Sequence, residues 1–258
     1  MKVLAYMAIW KRPEITERCF KGLKDLGLEV FAVVSEDWAE ELCKKYKAGF
    51  VRAENNPLGK KLNTGLAALM GKRFDYLMTI GSDNFINPAL FEAYKYYMDK
   101  GIGLIGVDKV YFMEGDRAKF VDYQLQIIGA GRMISREALQ TAKQVKVRFL
   151  KSVGGMIQGQ PGEEKFIPVH RAISGDRSDI LEIIGEEKTI LWDEDKNKAL
   201  DGSSNLRLIA DGVTNKCIDV GRQPYILDVK GEDNIWKYDD IAGDPAEFNY
   251  VKRCFLAN

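Results

Sequence analysis

The stretch DYLMTIGSDNFINP (residues 75–88) joins a buried strand, a short polar turn and the start of a helix. Its first residues, DYLMTI, form a mostly apolar run that is typical of a strand covered on both faces. Asn87 can cap the following helix, which is expected to end at Gly101. The carboxylate of Asp83 is therefore expected where a buried strand ends.

Short apolar strands alternate with amphipathic helices on either side of this stretch. Strands are predicted over 2–9, 28–34, 49–53 and 103–107, and helices over 14–26, 38–46 and 62–72. Apolar strands that are spaced by helices indicate a mostly parallel central sheet with helices on both faces. The predicted fold class is therefore α/β and Rossmann-like.

The pattern changes after residue 110. Residues 111–128 are expected to form longer, partly polar strands, Ser135 to cap a helix, and the Gly- and Gln-rich stretch 152–163 to form a loop. The later strand predictions are TILW (189–192), LRLIA (206–210), PYILDV (224–229) and NIWKY (234–238). A second domain after about residue 140 is an alternative. Because no linker-like composition marks a boundary, we expect a single domain over 1–258, with halves at 1–110 and 111–258.

The overall composition narrows the class of protein. Lys plus Arg and Asp plus Glu both number 38, so charge gives no indication of a nucleic-acid partner. The four cysteines are scattered without a C-x-x-C pair, which favours reduced thiols in a cytosolic protein. No run approaches the roughly 18 apolar residues of a membrane span, and no signal-peptide cleavage site is recognisable. We expect a cytoplasmic protein without a membrane span.

The position of Asp83 has two interpretations. Ligands of open α/β sheets bind beyond the carboxyl ends of the strands, where one carboxylate can hold a divalent cation together with water and phosphates. Alternatively, Asp83 caps a turn, as Asp often does. The residues by themselves leave both interpretations open.

Several segments, in their order along the chain, resemble the nucleotide-sugar-dependent glycosyltransferases of the GT-A fold, family 2 in particular. They are MAIWKRPEITERCFKGL (7–23), VVSEDW (33–38), NPLGKKLNTGLAAL (56–69), GSDNF (81–85), GAGRMISREAL (129–139) and ALDGSSNLRL (199–208). The resemblance covers residues 1–140 and, more loosely, 190–210. It implies a nucleotide-sugar-binding first half and a mixed, acceptor-side second half.

The resemblance also implies roles for acidic residues. GSDNF takes the place of the family's Asp-x-Asp element, so Asp83 is expected to bind Mn²⁺ or Mg²⁺, although it is the only acid of Ser82-Asp83-Asn84. His170, the single histidine, is a second candidate metal ligand, or else a structural residue. Asp201 is the candidate catalytic base; its alternative role is in a turn before Gly202.

The donor is expected to contact the ends of the first strands and the third helix. The candidate donor-binding residues are Ala8, Trp10, Arg12, Glu36, Lys61, Asn63 and Ser82. Arg12 is suited to a phosphate, and Glu36 to a ribose or base. The alternatives are interior packing for Trp10, an exposed helix entry for Arg12, helix capping for Glu36 and a solvated surface position for Lys61.

The predicted function is transfer of a sugar from a nucleoside-diphosphate donor to a hydroxyl acceptor, with inversion. A nucleotidyltransferase is one alternative, although the loop WKRPE (10–14) lacks the glycine that its phosphate loop usually carries. The other alternative is a non-catalytic nucleotide-sugar-binding protein with an eroded site. The acceptor stays open, since a glycan, a nucleobase and a protein hydroxyl all fit.

Overall fold

The chain is represented by a computed structural model, which describes residues 1–173, 177–197, 200–234 and 237–256. Its strands are β1 (Val3–Ala8), β2 (Glu29–Val34), β3 (Gly49–Arg52), β4 (Tyr76–Thr79), β5 (Asn84–Ile86), β6 (Leu104–Val107), β7 (Lys109–Glu114), β8 (Arg117–Asp122), β9 (Met133–Ser135), β10 (Lys143–Phe149), β11 (Glu164–Pro168), β12 (Leu181–Thr189), β13 (Asn215–Ile218), β14 (Ile226–Val229) and β15 (Asp244–Pro245). Its helices are α1 (Pro13–Asp25), α2 (Asp37–Lys45), α3 (Leu58–Met70), α4 (Pro88–Asp99), α5 (Arg136–Thr141), α6 (Val169–Ala172), α7 (Leu200–Ala210) and α8 (Phe248–Leu256).

The central sheet has seven strands in the order β13-β6-β9-β4-β1-β2-β3. Only β9 runs antiparallel to its neighbours, β4 and β6, whereas β4, β1, β2 and β3 pair in parallel. The sheet is therefore mostly parallel, as predicted. The second half of the chain contributes β9 and β13, so the sheet joins both halves of the sequence.

Helices cover both faces of this sheet, as the apolar strands require. Neighbouring residues of β1 alternate between the two faces: Ala5 and Met7 pack into one core, and Leu4 and Tyr6 into the other. The first core receives buried residues from α1, α2 and α4, and the second from α3, α5 and α7. The predicted α/β class is confirmed.

Two further sheets lie outside the central one. A five-stranded sheet has the order β15-β8-β7-β14-β5, and a three-stranded sheet has the order β11-β10-β12. The five-stranded sheet contains the polar strands predicted over 111–128. Its members β5 and β14 pair antiparallel and place Asn84 opposite Asp228, so they connect the polar turn after β4 to a late part of the chain.

Several local predictions are confirmed. The side chain of Asn87 accepts a hydrogen bond from the backbone of Ala89 and begins α4. Ser135 caps α5 by accepting from the backbone N–H of Ala138 at 3.0 Å. The loop 152–163 contains only a 3₁₀ turn and an isolated bridge.

Other local predictions are wrong. LRLIA (206–210) belongs to helix α7, because Leu200, Ser204 and Leu208 are buried at helical spacing. TILW contributes only Thr189 to β12, and NIWKY (234–238) lies partly outside the described residues. The three-stranded sheet was not predicted, since most side chains of β12 are exposed and its pairing with β10 is non-local.

Across the described ranges, no helix combines the length and the apolar content that crossing a lipid bilayer requires.

Candidate functional site

The candidate site lies at the carboxyl ends of β1 and β4. These strands are neighbours, yet the chain order runs outward through β2 and β3 on one side and begins again at β4 on the other. Such a reversal opens a crevice that doubly wound α/β proteins use for ligands. Because Arg12 follows β1 and Asp83 follows β4, the topology brings them to this crevice together.

Arg12 and Asp83 form a largely buried ion pair. The Arg12 guanidinium donates to Asp83 Oδ2 at 3.1 Å, and the two side chains are 17% and 16% exposed. The same nitrogen donates to the carbonyl of Val229 at 2.8 Å and to Asn234 Oδ1 at 2.7 Å. The backbone of Lys11 and Arg12 is left-handed, with φ of 55° and 58°. Two consecutive residues in this sparsely populated region indicate a loop that the surrounding contacts hold in place.

Asp233 and Asn234, in the segment after β14, bond to residues at this ion pair. Neither was predicted as a site residue. Asn234 Nδ2 donates to Asp83 Oδ2 at 2.6 Å, and Lys11 Nζ pairs with Asp233 at 2.7 Å. Asp228 lies on β14 and pairs with Lys230 at 2.9 Å. The sequence signal was available, because PYILDV places an acid at the end of an apolar run, as in DYLMTIGSD.

The carboxyl of Asp228 is electrostatically linked to Asp83. Burial, followed by the negative charge of Asp83, raises its pKa to about 7, and Lys230 opposes both effects. Two acids thus share one corner of the site, a combination typical of functional sites.

Lys61 lies under the site rather than facing it. The residue is 1% exposed, and its ammonium donates to the carbonyl of Ile9 at 2.5 Å, to Ser35 Oγ at 3.2 Å and to Asn55 Oδ1 at 2.9 Å. Burial lowers its pKa to about 8, and the nearby charge of Glu36 opposes that shift. Lys61 therefore ties together the ends of β1 and β2, and the surface alternative considered for it is wrong.

The other candidates at the strand ends lie near one another. Glu36 accepts from the backbone N–H of Lys11 at 2.7 Å and does not cap α2 with its side chain. Trp10 is half-buried beneath the Lys11 ammonium, which lies 4.6 Å from the ring centroid. Ala8 ends β1, and Ser82 precedes Asp83; both are half-buried. Donor contacts by these residues stay a prediction.

Asn63 connects α3 to the segment that follows β12. Its Oδ1 accepts from the backbone of Leu191 at 3.0 Å and of Trp192 at 3.1 Å, and its Nδ2 donates to the carbonyl of Trp192 at 2.8 Å. It is 3% exposed. These bonds hold the residues ahead of α7 against the second core.

The contact of His170 is with Asp211, which follows helix α7. His170 lies on α6, 47% exposed, with Nε2 3.5 Å from Asp211 at the carboxyl end of α7. Asp201 begins that helix, and ten residues of helix span about 15 Å. His170 therefore lies beside the carboxyl end of α7, and its role as a metal ligand stays a prediction.

Asp201 lies in the first turn of α7 with its side chain 50% exposed. It rests directly on Gly129, where a Cβ atom would lie 2.0 Å from Asp201 Oδ2. The guanidinium of Arg132, fully buried, lies 3.3 Å from Asp201 Oδ1. The same side chain donates to the carbonyl of Asp201 at 3.1 Å, to Ser204 Oγ at 2.9 Å and to Asn205.

Burial lowers the pKa of Arg132, and the charge of Asp201 opposes that shift. Arg132 was not predicted as a site residue, although an arginine inside the apolar stretch GAGRMIS is a recognisable signal. Its role is to position the amino end of α7, and with it the carboxylate of Asp201.

A cavity of about 670 Å³ connects Asp201 to the Asp228 corner, and we call it the α7 pocket. Its lining residues include Asn84, Phe112, Leu125, Ile127, Ile128, Gly129, Asp201, Asn205, Leu206, Ile209, Asp228, Lys230 and Ile241. A cavity of this size is in the range of small-molecule sites. Asp201 and Asp228 therefore line the same cavity.

Binding of a divalent cation at the Asp83 corner stays a prediction. Mg²⁺ usually takes one or two carboxylates and completes its shell with water and substrate phosphates, and Asp83 and Asp228 provide two. The described residues contain no group of three or more acid, histidine or cysteine side chains in ligand positions. A cation here would therefore depend on phosphate oxygens from a ligand.

Comparisons with known proteins give matches among solved structures only. Neither the models of known families nor the curated protein sequences match this chain. The crystal structure of S. aureus TarS 1–349 has a TM-score of 0.53 at 12% identity and covers 89% of this chain and 60% of that chain. A second structure of S. aureus TarS has a TM-score of 0.50 at 11% identity, with coverages of 89% and 37%.

The 4-diphosphocytidyl-2C-methyl-D-erythritolsynthase from Anaerococcus prevotii DSM 20548 covers 54% of this chain and 73% of its own, at 11% identity and a TM-score of 0.38. That likeness is too distant to bear on this chain. The likeness to TarS shows that the chain has the fold of the GT-A glycosyltransferases, as the resemblance implied. The chain spans about 60% of the length of the TarS fragment.

Proposed function

We propose that this protein is a glycosyltransferase that moves a sugar from a nucleoside-diphosphate donor to a hydroxyl acceptor. The observation that carries the proposal is the arrangement of two sites on a GT-A fold. The crevice at Arg12 and Asp83 lies at the strand reversal, where a nucleotide would bind. The α7 pocket adjoins it and has the half-exposed carboxylate of Asp201 in its wall.

In the proposed reaction, Asp201 is the general base. The acceptor oxygen attacks the anomeric carbon while its proton passes to the Asp201 carboxylate. The bond between the anomeric carbon and the diphosphate oxygen breaks, and the diphosphate leaves with the electron pair. Attack opposite to the leaving group inverts the anomeric configuration. Arg132 and Gly129 hold the carboxylate in place.

The donor is proposed to lie along the strand ends, with Trp10 and Glu36 near its nucleoside and Arg12 near its diphosphate. An arginine is suited to this contact because its fork of N–H groups matches phosphate oxygens. A divalent cation on Asp83 and Asp228 would add charge neutralisation of the leaving diphosphate. The Arg12–Asp83 pair would then have to rearrange, because Asp83 Oδ2 already accepts two hydrogen bonds.

The hydrogen bonds at Asp83 favour one alternative, a nucleotide-sugar-binding protein without turnover. Arg12 and Asn234 both engage Asp83, as expected if the ion pair has replaced a cation site. In that case the wild-type protein binds the nucleotide tightly without turning over the donor. The variants Asp83→Ala and Asp201→Ala would likewise show no turnover.

The decisive test is a panel of UDP-, GDP- and TDP-sugars, each incubated with the protein with and without Mn²⁺. We expect one nucleotide class to raise the melting temperature and its sugar donor to be hydrolysed slowly. Absence of both effects with every donor would refute the proposal. Release of pyrophosphate from a nucleoside triphosphate would instead indicate a nucleotidyltransferase.

A further inference from the structure

We propose that the α7 pocket binds an acceptor whose hydroxyl is attached to an apolar body, such as an alkyl or aryl group. In this proposal Leu125, Leu206 and Ile209 form the apolar rim against which that body packs. The inference rests on the proposed function, because it names the acceptor class that Asp201 would deprotonate.

The walls of the pocket are largely apolar. Phe112, Ile127, Ile128 and Ile241 line it. Most ligand sites of this kind combine apolar walls with a few polar groups that fix orientation. Asp201, half-exposed in the wall, is suited to that orienting role.

Three of the polar side chains that line the pocket make bonds within the protein. Asn205 donates to the carbonyl of Ile127 at 2.6 Å and accepts from Arg132. Asn84 accepts from the backbone N–H of Gly81 at 2.8 Å, and Asp228 pairs with Lys230 at 2.9 Å. An apolar body would leave these bonds in place.

The rim exposes three large apolar side chains beside one opening. Leu125, Leu206 and Ile209 line the pocket while remaining 74%, 70% and 41% exposed. Single exposed apolar residues are ordinary, but a group of them around a cavity is typical of a binding site. Leu206 and Ile209 are three residues apart on α7 and thus share one side of the helix.

The backbone at the rim is held in an unfavourable conformation. Gln124 and Leu125 have φ of 52° and 68°, a left-handed region that leucine rarely adopts. Asp108, which is 1% exposed, accepts from the N–H of Leu125 at 2.7 Å, and Asp122 accepts from that of Gln124 at 2.7 Å. Two carboxylates thus maintain a strained turn that directs a leucine outward. Burial of that leucine by a ligand would account for the arrangement.

The inference is tested with two glucosides that present the same sugar hydroxyls, octyl β-D-glucoside and methyl β-D-glucoside. Binding is measured by isothermal titration calorimetry below the micelle concentration. We expect the wild-type protein to bind the octyl compound at least about tenfold more tightly, since an alkyl chain gains free energy with each buried methylene.

The variant Leu125→Asn/Leu206→Gln is expected to lose this preference. Asn tolerates the left-handed backbone and Gln favours helix, so the exposed positions change polarity without a demand on folding. Tyr96→Gln is the matched control, because Tyr96 is 57% exposed on α4 and does not line the pocket. It should retain the full preference. If the double variant does not fold, Leu206→Gln alone provides the same comparison.

Equal binding of the two glucosides by the wild-type protein would overturn the inference. So would an octyl preference that survives in the double variant, or a dimer in size-exclusion chromatography that the double variant abolishes. The donor panel separates this inference from the proposed function. Donor hydrolysis without an octyl preference leaves the function standing and refutes the apolar acceptor, whereas an octyl preference without any donor hydrolysis or nucleotide binding refutes the function.

Discussion

The two carboxylates at the centre of this protein are held in opposite ways. Asp83 is 16% exposed and its oxygens are engaged by Arg12, Asn84 and Asn234. Asp201 is 50% exposed and rests against Gly129. Asp83 therefore joins neighbouring segments through its hydrogen bonds. Asp201 remains accessible to a molecule that enters the α7 pocket.

This difference indicates how the work of the proposed reaction is divided. A carboxylate that is bonded on several sides can orient charged partners. A half-exposed carboxylate in a pocket wall can contact the hydroxyl of a bound acceptor. The variants below test this division, from the largest expected effect to the smallest.

Asp201→Asn should have the largest effect on sugar transfer. Loss of a general base typically lowers the rate by about 10²–10⁴-fold, and the amide keeps the shape of the side chain. Donor affinity should change less than about twofold, because Asp83 and Arg12 are untouched. Transfer rate and calorimetric donor binding measure the two effects. The control is Asp195→Asn in the exposed loop before α7; unchanged transfer in Asp201→Asn would exclude Asp201 as base.

Gly129→Ala should show how much the transfer rate depends on the position of the Asp201 carboxylate, because this variant leaves the carboxylate itself unchanged. The added Cβ would lie 2.0 Å from Asp201 Oδ2 and must displace it. Misplacing a reacting group by an ångström can cost about 10²-fold in rate, so transfer should fall by about that factor while the fold persists. Gly22→Ala in α1 is the control, since its Cβ would meet no atom within 4 Å. Equal rates in the two variants would show that Gly129 does not position Asp201.

Asp83→Asn should weaken binding of the donor at the crevice of Arg12 and Asp83. Removing the negative charge breaks the ion pair with Arg12 and with it a charge-assisted hydrogen bond. We expect donor affinity to fall by about tenfold and any Mn²⁺ stimulation to disappear, as measured by calorimetry across a Mn²⁺ titration. Asp75→Asn, at the amino end of the same strand, should leave both quantities unchanged. A Mn²⁺ response that persists in Asp83→Asn would place the cation elsewhere.

Lys61→Met should change how stability depends on pH. The pKa of Lys61 is lowered to about 8 by burial, whereas in the unfolded chain it is near 10.5. Between these values the unfolded state binds more protons, so the contribution of Lys61 to stability rises with pH. From pH 7 to 9 the wild-type protein should gain about 1 kcal/mol relative to Lys61→Met.

Urea unfolding of both proteins at the two pH values measures this difference. At any single pH, Lys61→Met should also be less stable by about 1–3 kcal/mol, because Ile9, Ser35 and Asn55 lose a hydrogen-bond donor. Parallel pH dependences in the two proteins would mean that the ammonium is not desolvated as the structure indicates.

The first half of the fold could be predicted because its signals are local. Apolar runs, helical spacing and the caps at Asn87 and Ser135 depend on residues that are close in sequence. The strand at β14 was also predicted from its apolar run. The sheet of β10, β11 and β12 could not be, since charged side chains cover much of it and its pairings are non-local. α7 was misread in part because LRLIA alternates over a short window while the whole segment has a helical period.

The candidate site was predictable only where it coincides with the ends of local elements. Arg12 and Asp83 each follow a strand that the sequence predicts. Asp201 lies in a segment that resembles the glycosyltransferase family. Asp228, Asn234 and Arg132 lie far along the chain from the groups they contact. Separations of 145 residues between Asp83 and Asp228 (228 − 83) and 151 between Asp83 and Asn234 leave no local pattern.

The sequence by itself determined an alternation of apolar strands and helices, and one acid placed after a buried strand. Hydrophobic burial and backbone hydrogen bonding are enough to make that alternation a parallel sheet with a crevice at the strand reversal. Only the tertiary structure decided which groups surround the acid. The partners of Asp83 and the apolar rim of the α7 pocket come from distant segments, and their contacts form only after the sheet has brought those segments together.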